Sequence, residues 1–166
     1  MISSDTPSNN RPFDPGEEAS AEVYAGNPIF NFRTLVFFGF VCFLVIITRD
    51  GGALSPQQNW VLLVSGTVGA YLFTGVQMFY FKVSDHQLMV RNHYFPWIRW
   101  TYEVKELEKM AIRYYFRTGI GLTFRPVNRA LFRIFLASSL RNETWKALAE
   151  RLEKSGITVR TEFELG

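Results

Sequence analysis

Residues Trp60–Phe81, WVLLVSGTVGAYLFTGVQMFYF, contain no Asp, Glu, Lys, Arg or His. No other stretch restricts the chain so strongly. As one helix it would run about 33 Å at ~1.5 Å per residue, against ~30 Å of bilayer hydrocarbon. A second apolar run, Thr34–Thr48, precedes it. Extended back to Ile29 it reaches span length, with Arg33 and Arg49 placed to snorkel to headgroups. The connecting Arg49–Asn59 (RDGGALSPQQN) carries Gly51-Gly52 and Ser55-Pro56, which break helices. The two runs together predict a transmembrane α-helical hairpin over residues 28–81, with spans at about 29–48 and 60–81. Pro28 suits a first helical turn, with Asn27 as its cap.

Charge orients this expected hairpin. The chain's net charge of +3 is unevenly spread. Residues Met1–Arg33 hold Arg11 and Arg33 against Asp5, Asp14, Glu17, Glu18 and Glu22. From Lys82 onward there are 15 of the 18 Lys and Arg, and 9 of the 15 acids, a net of +6. Basic flanks stay in the cytoplasm. The expected location is therefore the inner (cytoplasmic) membrane, multi-pass, with both termini cytoplasmic.

The head, residues 1–27, is rich in Ser, Asn, Pro, Asp and Glu. It reads as a disordered tail, without the basic start and apolar core of a signal peptide. In the second run Ser65 and Gly69, Gly66 and Ala70, and Ala70 and Thr74 are each four apart. Small residues at that spacing let helices approach closely. The spacing fits packing against the first span, a dimer, or contact with another membrane protein. Cys42 is the only cysteine, so no internal disulfide forms.

From Phe79 the pattern changes to period two, with turns at Ser84–Gln87 and Asn92–Pro96. Strands are expected around Val83–Val90, Pro96–Tyr102, Gly119–Arg125 and Leu131–Leu136. Glu106–Tyr115 reads as another, although its first half also suits a helical turn. Trp145, Leu148, Ala149 and Leu152 recur at i, i+3, i+4, i+7, the stripe of a helix packed on a sheet. Asn142 is the expected cap and Gly156 the stop. Ile157–Phe163 reads as a short terminal extended piece.

Short strands closed by one amphipathic helix, placed directly after two spans, resemble the bacterial pleckstrin-homology-like membrane protein families. The resemblance covers roughly residues 79–160. It rests on the Val83–Val90 pair with its Ser84-Asp85 turn, on Pro96–Tyr102 leading into Val104–Ile112, and on Trp145–Leu152 closing with Gly156-Ile157. It implies a membrane hairpin plus an α+β domain over residues 82–166, a curved antiparallel sheet or barrel capped by one C-terminal helix. The arrangement is also similar in topology to the photosystem I assembly factor family.

Catalytic patterns are thin. His86 and His93 are the only histidines, and both are expected in exposed turns. Glu103, Glu106 and Glu108 alternate with Lys105 and Lys109, as on a solvated face. Gly119-x-Gly121 has no helix after it and makes no phosphate loop. No catalytic residue, cofactor or metal site is expected, and the chain reads as non-enzymatic.

The basic set is more informative. Arg113, Arg117, Arg125, Arg129, Arg133 and Arg141 occupy a stretch with no acid between Glu108 and Glu143. Guanidinium groups suit phosphate and carboxylate partners. These arginines are the expected headgroup or partner contacts, and Ser65, Gly66, Gly69, Ala70 and Thr74 the expected helix-packing set. Expected partners are membrane lipids and a membrane protein or a second copy of the chain, with nucleic acid disfavoured. The functional expectation is an integral membrane scaffold, assembly or accessory subunit. Its alternative is an anionic-lipid-sensing membrane module.

Overall fold

The structure, a computed structural model, describes residues 16, 20–27, 32–51, 54–115, 119–127 and 131–162. Its elements are β1 (Glu22–Tyr24), α1 (Phe32–Asp50), α2 (Pro56–Gly75), β2 (Phe79–Val83), β3 (Gln87–Asn92) and β4 (Arg99–Glu103). A 3-10 turn at Val104–Glu106 leads to β5 (Leu107–Tyr115), β6 (Gly119–Pro126), β7 (Arg133–Leu136), α3 (Asn142–Lys154) and β8 (Val159–Thr161). These divide into two units. One is built from α1 and α2, and the other from β1 together with the chain from Gln77 onward.

In the helical unit α2 begins at a capping box. Ser55 Oγ accepts the Gln58 N–H at 3.3 Å, and Gln58 Oε1 accepts the Ser55 N–H at 2.8 Å. Pro56 adds a fixed φ in the first turn. The helix ends at Gly75, and the Val76 N–H bonds back to the Leu72 carbonyl. Beyond it, Phe79-Tyr80-Phe81 is aromatic sequence that favours strands, and it forms β2. Val41 of α1 is buried where Gly66 of α2 comes close: a Cβ on Gly66 would lie 3.1 Å from Val41 Cγ1. Phe37 and Phe73 stack at 5.8 Å, and Thr48 Oγ1 meets Asn59 Oδ1 at 2.8 Å.

This geometry corrects the expected hairpin. Among the described residues no helix is long and apolar enough to cross a membrane. The uncharged part of α1, Thr34–Thr48, spans only about 22 Å as helix. Of the expected 60–81 span only Trp60–Gly75 is helical, about 24 Å, because Met78–Phe81 has gone into β-structure. These apolar stretches fall short of ~30 Å of hydrocarbon, and the first turn of α2, Pro56–Asn59, is polar. The multi-pass inner-membrane location, with both termini cytoplasmic, is overturned with the spans. So are the integral-membrane scaffold and its lipid-sensing alternative. The Pro28 reading lies outside the described residues.

The second unit holds two sheets. The first has the order β1-β2-β3-β4 and is antiparallel throughout. The second has the order β7-β6-β5-β8, antiparallel except that β8 runs parallel to β5. The pleckstrin-homology-like closed sheet is therefore overturned, since neither sheet closes. The physical reason is edge occupancy. β1, from a head expected to be disordered, covers the edge of β2 opposite β3, pairing Tyr24 with Phe81 and Glu22 with Val83. Among the described residues the isolated Met78–Ala137 bridge alone links β2 toward the end of β7.

Between the sheets lies the core. Phe81, Val83, Leu88, Val90 and Tyr102 face Met110, Ile112, Leu122, Phe124 and Phe135, all buried. Phe135 stacks on Phe124 at 5.5 Å and meets Phe79 edge-on at 5.5 Å and Trp100 at 5.0 Å. The α3 stripe of Trp145, Leu148, Ala149 and Leu152 is buried as its spacing implied. Its cap differs: Arg141 holds the N-cap position without a side-chain bond, and Asn142 is already helical. Gly156 adopts φ +85, the left-handed conformation that suits glycine, and the Ile157 N–H bonds back to the Leu152 carbonyl.

Arg151 of α3 ties β1 in place. Its Nη2 lies 2.6 Å from Asp85 Oδ1, in the β2–β3 turn, and its Nε 3.4 Å from Glu22 Oε1. Tyr24 donates its hydroxyl to Glu22, and burial together with that bond raises its pKa. The Arg151 hydrogen bond, then its charge, hold Asp85 below the usual carboxylate range. A depressed acid contributes stability above its unfolded value of ~3.9, and that contribution is lost as pH falls through the folded pKa. Asp85→Asn should therefore flatten the acid limb of stability below about pH 4. It should also speed amide exchange at Tyr24, with the β5–β6 amides unchanged. Gly26 passes so close to the Ser139 carbonyl that a Cβ would overlap it. Gly26→Ala should cost about 1–3 kcal/mol in urea unfolding.

Candidate functional site

Sheet register assigns each basic residue to a face. Directly paired residues in a sheet point to the same side. In the second sheet Met110 pairs with Phe124 and Ile112 with Leu122, all four buried, so these positions face the core. The alternate positions form the outer face. They fall in three rows: Lys109 beside Arg125; Arg160, Ala111, Thr123 and Ile134; and Arg113, Gly121 and Leu136. Lys109, Arg113, Arg125 and Arg160 are all exposed, and these rows contain no acid.

Between the cations the surface is low. Tyr115 and Leu136 reach over Gly121, where a Cβ would meet both within 3.2 Å. The Tyr115 hydroxyl hydrogen-bonds Thr123 Oγ1. Beside this face Arg113 Nη2 pairs with Glu162 Oε1 at 2.9 Å.

Lys109 opposite Arg125 is a like-charge cross-strand pair, an arrangement that destabilises a sheet. The first sheet repeats it with Arg91 opposite Arg99 on the outer face of β3 and β4.

Of the arginines singled out from sequence, the structure brings together Arg113 and Arg125. Arg133 pairs with Phe124 and so has the opposite parity, half-buried at the edge of its sheet. Arg141 sits at the start of α3. Arg117 and Arg129 lie outside the described residues. Lys109 and Arg160 were missed. Lys109 was legible from its two-residue spacing to Arg113 through Ala111, once β5 is taken as a strand. Arg160 arrives through a parallel pairing that no local pattern announces.

The small-residue set divides. Gly66 and Ala70 lie on the side of α2 packed toward Val41, with Ala70 fully buried. Thr74 Oγ1 turns back to the Ala70 carbonyl at 2.8 Å, and Ser65 Oγ to the Val61 carbonyl at 2.7 Å. Gly69 has open space beside it.

A separate cavity of ≈ 620 Å³ is lined in part by Asp85, His86, Glu103, Lys105 and Ser155. Its carboxylates are engaged, Glu103 with Lys105 at 2.7 Å and Asp85 with Arg151. Among the described residues no three His, Cys, Asp or Glu gather to hold a metal ion. His86 is exposed, as expected. His93 is not: it is half-buried, stacked on Tyr80 at 4.6 Å, and its Nε2 is buried without a hydrogen-bond partner.

No protein-family model, curated protein or solved structure matches the chain. The resemblances to pleckstrin-homology-like membrane proteins and to the photosystem I assembly factor family gain no support from relatives.

Burial lowers the His93 pKa from its ordinary 6.5. The unfolded chain then takes up the proton first, so stability is held above about pH 6.5 and declines as pH falls toward the folded value. The wild-type urea midpoint should fall between pH 7.5 and 5.5. In His93→Phe, which keeps a ring against Tyr80, that part of the pH profile should be flat.

Proposed function

We propose that the chain is a non-catalytic docking protein whose second sheet binds an acidic surface of a partner protein through its outer face. The observation that supports this reading is the set of exposed cations on one sheet face, with Lys109 and Arg125 as cross-strand neighbours, Arg160 in the next row and Arg113 in the row beyond it. A four-stranded face without a cleft suits an extended macromolecular surface. Carboxylates on that surface would take guanidinium forks in two-point contact. Lys109 supplies a more adaptable cation beside them. Acidic and basic faces approach quickly and in a preferred orientation, with a rate that falls as salt screens them.

Charge reversal tests the face. Arg125→Glu should lose at least tenfold in affinity for poly-glutamate, the probe for an acidic protein surface. Wild-type binding should weaken as NaCl rises from 50 to about 300 mM. Unchanged binding in Arg125→Glu would remove the face from the mechanism. Preference for single-stranded DNA over poly-glutamate at matched charge would replace the protein partner with a phosphate-bearing one.

A further inference from the structure

Glu162 brings a carboxylate to the margin of the cationic face on the second sheet. β8 runs parallel to β5 in the register Met110–Val159, Ala111–Arg160 and Ile112–Thr161. One residue further along, Glu162 falls beside Arg113, and alternation points it to the same side as Arg160. The backbone fixes it there. The Glu162 N–H donates to the Ile112 carbonyl at 3.2 Å, and Val159, three residues back, is buried in the core. Glu162 Oε1 then lies 2.9 Å from Arg113 Nη2. On the other flank of Arg113 the cross-strand position is Gly121, so no β6 side chain stands directly opposite. A strand of three residues thus delivers a cation, Arg160, and sets an anion just past it.

We infer, resting on the docking reading above, that Glu162 is a built-in competitor for that face: its carboxylate holds Arg113 in the free chain and gives way when an acidic partner binds. The bond it makes is the bond a partner's Asp or Glu would make, a carboxylate oxygen on a guanidinium nitrogen. While Glu162 occupies Nη2, Arg113 has no open fork for two-point contact with a second carboxylate. The hold is also weak enough to exchange. The two side chains are 44% and 36% exposed, and ion pairs so close to water are worth little. Tethering sets the threshold. Glu162 is carried by the sheet itself, so it meets Arg113 at an effective concentration on the order of millimolar or above. A single carboxylate in dilute solution does not match that. A partner already held by Lys109, Arg125 and Arg160 does, because its next acid is then tethered as well. The face therefore answers to clustered acids and ignores scattered ones. A plain staple for β8 is the rival role, and it predicts the opposite sign. Loss of the carboxylate would then loosen the strand that carries Arg160 and weaken binding, whereas loss of a competitor strengthens it.

The test titrates labelled poly-glutamate with the full-length chain in low salt. Glu162→Gln keeps the side chain's size and its backbone bond and removes only the charge. It should bind about two- to fivefold more tightly than wild type, the range of an exposed ion pair. In an Arg113→Gln background the same change should bring no gain, because the competitor has lost its target. Glu153→Gln removes an equal charge from an exposed position on α3 and should show no comparable gain. Unchanged or weakened binding in Glu162→Gln overturns the inference. So does a gain that persists in Arg113→Gln or is matched by Glu153→Gln, since net charge alone would then account for it. If wild type binds, Arg125→Glu weakens it and Glu162→Gln brings no gain, the docking face stands and the competitor falls. If neither wild type nor Glu162→Gln binds poly-glutamate, both fall together.

Discussion

Phe135 is where the two sheets of the larger unit meet. It stacks on Phe124 within its own sheet and reaches Phe79, Trp100 and Tyr102 of the other. Among the described residues one backbone bridge links the sheets, so their alignment depends largely on side-chain packing. Ring pairs at 5–6 Å contribute about 0.5–1.5 kcal/mol each beyond the apolar area they bury. They also have preferred angles, which an aliphatic contact lacks. Everything outside this cluster inherits its geometry. The parity of β5 and β6 follows from Met110, Ile112, Leu122 and Phe124 turning inward, and that parity puts Lys109, Arg113 and Arg125 outward together.

The proposed binding face is thus a by-product of core packing, with cations at several of its outer positions. Hydrophobic alternation would be satisfied by any polar residue at the outer positions. Threonine or an acid opposite Lys109 would make the sheet more stable than Arg125 does. Among the described residues like charges lie opposite one another twice, at Lys109–Arg125 and at Arg91–Arg99.

Local sequence carried the pieces of the sheet unit that depend on local physics. The period-two runs became β3, β4 and β6, the helical stripe became the buried face of α3, and Gly156 became its left-handed stop. The Asn92–Pro96 turn formed as read, with Asn92 Oδ1 accepting the N–H groups of Tyr94 and Phe95 at 2.9 Å. Long-range pairings were invisible. Glu22–Tyr24 is too short to read as a strand, and it became one because β2 offered an unpaired edge and Arg151 a charge for Glu22. The same competition ended α2. Apolar character ran on to Phe81, but Met78–Phe81 found hydrogen-bond partners in β-structure, and hydrophobicity does not distinguish a buried strand from the end of a helix. The arginine set was half legible for a related reason. Sequence shows that a stretch is basic, and only register shows which of its cations share a surface.

The pairing of β1 with β2 has a consequence for how the chain folds. Tyr24 and Phe81 are cross-strand partners, yet the whole α-helical unit lies between them in sequence. Closing so long a loop in an unfolded chain carries an entropy cost that a three-residue strand cannot offset early. Helices that form from local contacts draw the two ends of the excursion together first. β1 is accordingly expected to join a sheet that already exists, with the edge of β2 open until it does.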